Sequence, residues 1–131
     1  MSLSAAPSSS APSGAITPAE VDASFRPVAL FFAGKSTFWL VVGALISLIA
    51  SVKLHGPGMM SGSAWLTYGR LAPAGWNALV YGFAAQVGMV LGLWVLARAA
   101  AQRLQAPILV LAGGVVWNLG VLAGSIGILA G

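Results

Sequence analysis

Three long stretches of this chain carry no charge: between Lys35 and Lys53, from Leu71 to Ala97, and from Leu104 to Gly131. No other feature limits the fold so strongly. A helix rises about 1.5 Å per residue and a bilayer's hydrocarbon is about 30 Å thick, so about 20 apolar residues make one crossing. Each stretch, counted with its flanking positions, is close to or above that length. The runs are continuous rather than alternating, and a spanning barrel strand is far shorter, which argues against strands. The predicted fold is all-α: a helical membrane protein with three transmembrane helices, over about 36–54, 76–98 and 107–130.

Composition agrees. Of 131 residues, 59% are hydrophobic and 6% are charged. A soluble domain carries about a quarter charged residues. This chain has too few to cover a water-facing surface, which argues against a soluble globular enzyme. Its two acids, Glu20 and Asp22, both lie in the N-terminal stretch; His55 is the sole histidine and there is no cysteine. Those counts exclude a disulfide scaffold, a structural zinc site, a cysteine nucleophile and a carboxylate acid–base pair in the apolar body. The net charge of +4 comes from singly spread Lys and Arg. They form no patch for nucleic acid and read as residues flanking membrane spans.

Residues 1–17 are Ser, Ala, Pro and Gly-rich without charge, a composition expected to form a disordered tail. A signal peptide is not expected, because the first positive charge is Arg26. Thr17-Pro18-Ala19-Glu20 fits a capping box with Pro at the first helical position, and Asp22 suits the positive end of the helix dipole. A short helix over 18–34 is predicted, carrying Phe25, Val28, Leu30, Phe31 and Phe32 and interrupted by Pro27. It either lies on the membrane surface or packs on neighbouring helices. Trp39, near the end of the first span, reads as an interface anchor. The second span is expected to start near Trp76, because Pro73 and Gly75 oppose an earlier helix interior. The connection before it holds His55-Gly-Pro-Gly58, Gly62, Trp65, Tyr68 and Gly69, turn chemistry with aromatic anchors. The connection from Arg98 to Ala106 is short, so spans two and three should be antiparallel neighbours. Arg26, Lys35, Arg98 and Arg103 group on one side, against Lys53 and Arg70 on the other. The positive-inside rule then places the N-terminus in the cytoplasm and the C-terminus outside.

No Asp, Glu, Lys or Arg falls inside a predicted span, which weighs against a small oligomeric transporter. The neutral polar residues are Asn77 and Gln86 in span two, and Asn118 and Ser125 in span three. Hydrogen bonds between helices are the plainer reading for them, beside a ligand contact. Gly88 and Gly92, Gly120 and Gly124, and Gly127 and Gly131 are spaced four apart, which lets backbones approach closely. They would pack on each other or on helices outside this chain; close approach to a flat ring such as heme is the alternative. Gly82 and Ala85 extend the small face of span two. His55 reads as a helix-end or water contact, with metal or heme ligation as the alternative. Trp65, Tyr68, Trp76 and Tyr81 read as interface or packing aromatics.

Lys53-Leu-His55, the run from Trp65-Leu-Thr-Tyr-Gly-Arg70 through Pro73 and Trp76-Asn77 to Tyr81-Gly82, Leu93-Trp-Val-Leu-Ala-Arg98, and Val116-Trp-Asn-Leu-Gly120 onward form an ordered set. Together they resemble the N-terminal region of subunit I of heme–copper oxidases, most closely the C-type (cbb-type) cytochrome c oxidase. The resemblance covers the chain from about Glu20 onward. It implies membership of a multi-helix subunit that holds two hemes and a copper ion, reduces dioxygen with electrons from cytochrome c and pumps protons. The family's low-spin heme ligand stands in an Arg-x-x-Pro-x-His-x-Asn setting. Here Arg70, Pro73 and Asn77 match, but Gly75 occupies the ligand position, so no heme or copper ligand is expected from this chain alone. The family's copper and high-spin heme ligands belong to later spans.

The leading expectation is a three-span portion or homologue of oxidase subunit I, part of a respiratory electron-transfer complex and not catalytic alone. Its expected partners are the lipid bilayer and other oxidase subunits, in the inner membrane of a bacterium. An accessory structural subunit of another complex is the alternative, with a small oligomeric transporter behind it.

Overall fold

A computed structural model describes residues 16–59 and 61–131. Three helices dominate: α1 (Pro18–His55), α2 (Tyr68–Ala99) and α3 (Pro107–Ala130), each long and apolar enough to cross a membrane. A short 3-10 turn, Ala64–Leu66, precedes α2, and no strand occurs among the described residues. The all-α, three-span reading is what the molecule adopts. Most of the expected tail lies outside the described residues. Thr17, at its end, is the N-cap of α1.

The capping box forms as its residues dictate. Glu20 N–H donates to Thr17 Oγ1 at 3.3 Å, and Thr17 N–H donates to Glu20 Oε2 at 2.8 Å. The helix it starts does not end near Gly34. It continues into the first span as one helix of 38 residues, so the separate short helix over 18–34 is instead the first half of α1. Pro27 does not break it. A proline removes one N–H, and the carbonyl it would have served belongs to exposed Ala23.

The second span starts at Tyr68 rather than near Trp76, and Pro73 lies inside it. Here too the freed carbonyl, that of Gly69, belongs to an exposed residue in the first turn. In its middle, Ala78–Ala84 is π-helical. The third helix matches its expected span, 107–130, and Pro107 opens it, where a missing N–H costs nothing.

The buried side of α1 is a stripe: Val21, Phe25, Val28, Phe32, Ser36, Trp39 and Gly43, recurring every three or four residues. That period keeps one face of a helix turned inward, and α1 packs on both other helices. Glycines set the closest approaches. A Cβ on Gly75 would lie 2.5 Å from Ser47 Oγ, and one on Gly82 would lie 2.5 Å from the Trp39 ring. A Cβ on Gly43 would meet Leu79, and one on Gly114 would meet the Phe32 and Phe31 rings.

The two ends of the bundle gather different charges. At one end Arg98 pairs with Asp22 at 3.1 Å, Arg103 pairs with Glu20, and Leu104 N–H donates to Ser24 Oγ at 3.1 Å. At the other, Arg70 Nη1 donates to the Leu129 carbonyl at 3.1 Å, and Lys53 Nζ donates to the Met59 carbonyl at 2.7 Å. Arg98 and Arg103 thus gather at one end, and Lys53 and Arg70 at the other. Lys35 stands 18 residues before Lys53 on α1, about 27 Å along the helix. It lines a groove between α1 and α3 with Val115 and Leu122. The outward faces are apolar, with Leu30 66% and Ile108 78% exposed, as lipid contact requires.

Gly75→Val is expected to destabilise the bundle by about 1–3 kcal/mol, the usual cost of overpacking. Gly88→Ala, with nothing within 4 Å of the added carbon, should be neutral. Reversible unfolding in detergent, followed by far-UV circular dichroism, separates the two.

Candidate functional site

Two of the polar residues that sequence reasoning singles out, Gln86 and Asn118, meet at the centre of the bundle. Asn118 of α3 lies between α1 and α2. Its Oδ1 accepts from the Trp39 indole N–H at 2.7 Å and from Gln86 Nε2 at 3.3 Å. Its Nδ2 donates to Gln86 Oε1 at 3.0 Å and to the Gly114 carbonyl at 2.6 Å. Gln86, fully buried, also donates to the Gly82 carbonyl. Among the described residues no buried side-chain polar atom is left without a partner. Such satisfaction is what makes polar groups tolerable in hydrocarbon. The cluster thus ties all three helices at one depth.

A second contact lies toward the Arg70 end. Asn77 Nδ2 donates to Ser125 Oγ at 2.9 Å and to the Val121 carbonyl at 3.1 Å. The π-helical segment supplies a third. Its wider turn leaves carbonyls open to side chains. The Tyr81 carbonyl accepts the Trp117 indole N–H at 2.9 Å, and the Gly82 carbonyl takes Gln86.

Trp39 was expected at the membrane interface. It is instead 5% exposed and holds Asn118. The signal was present, because Phe25, Phe32 and Trp39 recur every seven residues and so share one helix face. Ser47, which receives Gly75, had no comparable sequence signal. Of the spaced glycines, Gly88, Gly92, Gly120 and Gly127 have open space where a Cβ would project, whereas Gly124 approaches Asn77 and Gly131 approaches the Arg70 side chain, both on α2. Of the two readings of the spaced pairs, packing within the chain is not what Gly88, Gly92 and Gly120 do. His55 Nδ1 lies 2.9 Å from the Ser51 carbonyl, one turn back on its own helix. Trp65, Tyr68, Trp76 and Tyr81 are exposed and line the outside.

Gly75 bears directly on heme. Its α-carbon faces α1, against Ser47 and the Gly43 carbonyl, not a cavity. Any side chain here would meet α1 before it met a ring. No group of three or more His, Cys, Asp or Glu residues gathers among the described residues. Gly75 itself supplies no side-chain donor at this position.

With that geometry in view, comparison with known proteins gives one informative likeness. The chain is 27% identical over 124 residues to the cytochrome c oxidase subunit 1 homolog, bacteroid, of Bradyrhizobium diazoefficiens. The alignment takes in 89% of this chain but 22% of that protein. The chain therefore spans about a fifth of the length of that relative. No family model matches, and no solved structure matches. The likeness supports a distant relation to heme–copper oxidase subunit I.

Asn118→Leu strands the Trp39 indole and one edge of Gln86, which is expected to cost about 1–3 kcal/mol. Gln86→Leu in the same chain should add less than its own single cost, with a coupling of about 0.5–3 kcal/mol. A double-mutant cycle in detergent measures it; strict additivity would mean the two amides act independently.

Proposed function

We propose that this chain is a non-catalytic, three-helix component of a respiratory oxidase assembly, built like the opening spans of subunit I. The observation that carries this reading is the 27% identity running through 89% of the chain. The geometry supports the non-catalytic half of it. Gly75 is committed to packing against α1, and the polar cluster around Asn118 is spent on joining helices. In this reading the hemes, the copper ion and the redox chemistry belong to other spans or other polypeptides. The chain's contribution is a stable membrane scaffold, oriented with its Arg98–Arg103 end in the cytoplasm by the balance of basic residues.

A second reading is an accessory subunit of a membrane complex unrelated to respiration. It draws on the same packing at Gly75, where the family's low-spin heme ligand would stand.

Mild solubilisation and affinity purification of the tagged full chain from its native membrane tests both. The proposal expects co-purifying polypeptides with a reduced-minus-oxidised heme spectrum, and no heme retained once the partners are removed. Partners without heme would favour the second reading. Stoichiometric heme on the isolated chain would contradict the first.

A further inference from the structure

Asn77 carries an acceptor that nothing in the chain meets. Both hydrogens of its amide are committed, to Ser125 Oγ and to the Val121 carbonyl. A carbonyl can only accept, so the nitrogen is fixed there and the oxygen cannot trade places with it. Asn77 Oδ1 accepts no hydrogen bond among the described residues. Every buried side-chain polar atom among them has a partner, so this bare oxygen is not buried. It opens on the outer face, where Asn77 and Tyr81 line a groove between α2 and α3 with Gly113, Trp117 and Gly120. Tyr81 is 53% exposed and Trp76 67%, and among the described residues neither the phenol nor the Trp76 indole N–H has a hydrogen-bond partner.

The packing of α1 gives the depth. Gly75 lies against Ser47, and Leu79 lies against Gly43, so Asn77 stands level with the turn 43–47 of α1. That turn is midway between Lys35 and Lys53, with roughly 12–15 Å of helix to each. Water is scarce at such depth, and an unmet amide oxygen is costly there. Tyr81 starts one turn nearer the level of Lys35. Long helical side chains lean toward the start of their helix, which returns its phenol to the depth of Asn77. Trp and Tyr of membrane proteins gather at the headgroups, where their polar tips are wet. Placed together at mid-depth on one face of α2, Trp76 and Tyr81 suit a protein contact instead.

We propose that this face of α2 and α3 is the interface of a two-fold homodimer, in which the Tyr81 phenol of each copy donates to Asn77 Oδ1 of the other. Copies inserted in the same direction are related by an axis along the membrane normal, so equal depths meet. The bare acceptor of one copy then faces the bare donor of the other, and the exchange occurs twice, as in any isologous contact. Gly113 and Gly120 have nothing within 4 Å of an added Cβ, which leaves the floor of the groove open to the rings of the second copy. Hydrogen bonding selects this occupant. A lipid tail has no donor to offer. A foreign helix would need a donor and an acceptor in the register that this chain already carries. The inference goes beyond the oxidase reading and does not depend on it.

The full chain, in donor-labelled and acceptor-labelled batches reconstituted together in phosphatidylcholine vesicles, provides the test. Energy transfer between copies is expected to rise with the protein-to-lipid ratio and to saturate at the level of a dimer. Tyr81→Phe removes one oxygen from each copy and should weaken association about tenfold, the sum of two interhelical hydrogen bonds of ordinary strength. Gly120→Leu fills the floor of the groove and should abolish association, with unchanged circular dichroism as the check on folding. Copies carrying Tyr81→Phe, mixed with copies carrying Asn77→Leu, keep one of the two bonds. They should associate about threefold more tightly than either variant does with itself. The chain has no cysteine, so Val80→Cys alone should yield a disulfide-linked dimer on oxidation. Leu45→Cys, on the outer face of α1, should not. Absence of energy transfer at every protein-to-lipid ratio would overturn the proposal and leave the face to another polypeptide or to a ring-bearing lipid. So would a dimer indifferent to Tyr81→Phe, or one linked through Leu45→Cys and not Val80→Cys. No oxidase polypeptide is present in the vesicles, so failure here leaves the oxidase reading standing, and failure of co-purification leaves the dimer standing.

Discussion

A single amide in hydrocarbon organises this bundle. Asn118 has nowhere to find water, so its oxygen and nitrogen must be met by protein. They are met from two other helices at once, by Trp39 of α1 and Gln86 of α2. Lipid tails are as apolar as leucine, so apolar burial alone gives membrane helices little reason to associate or to choose a register. Polar satisfaction supplies the choice. Sliding any helix by one turn would separate these groups and leave several of them unpaired. The glycine contacts follow from that register. Gly82 admits the Trp39 ring, Gly114 admits Phe31 and Phe32, and Gly75 admits Ser47.

The three spans were legible because hydrocarbon thickness imposes a length and a composition that few other folds mimic. The third was placed at its observed bounds. Helix starts were less legible where proline intervened. Pro27 and Pro73 each stand where the freed carbonyl belongs to an exposed residue, and a sequence does not show that exposure. Asn118 and Gln86 were identified as inward-facing from chemistry alone, since an amide in lipid seeks a partner. Which partner was not readable. Trp39 was assigned to the interface by its position in the run, although its seven-residue spacing from Phe32 pointed inward.

Glycine spacing illustrates the limit of reading a pattern along a chain. Gly88, Gly92 and Gly120 have the spacing of a packing face, while Gly43, Gly75, Gly82 and Gly114 do the packing. Spacing describes what a helix permits, and the polar register decides which face is used.

The π-helical segment of α2 has a consequence for descent. A π turn holds roughly one residue more than an α turn, and one residue rotates a helix by about 100°. The half of α2 before it is phased to Ser47 and Ser125, the half after it to Asn118. A homologue with an unbroken α-helix here would match both halves only across a one-residue gap between 78 and 84.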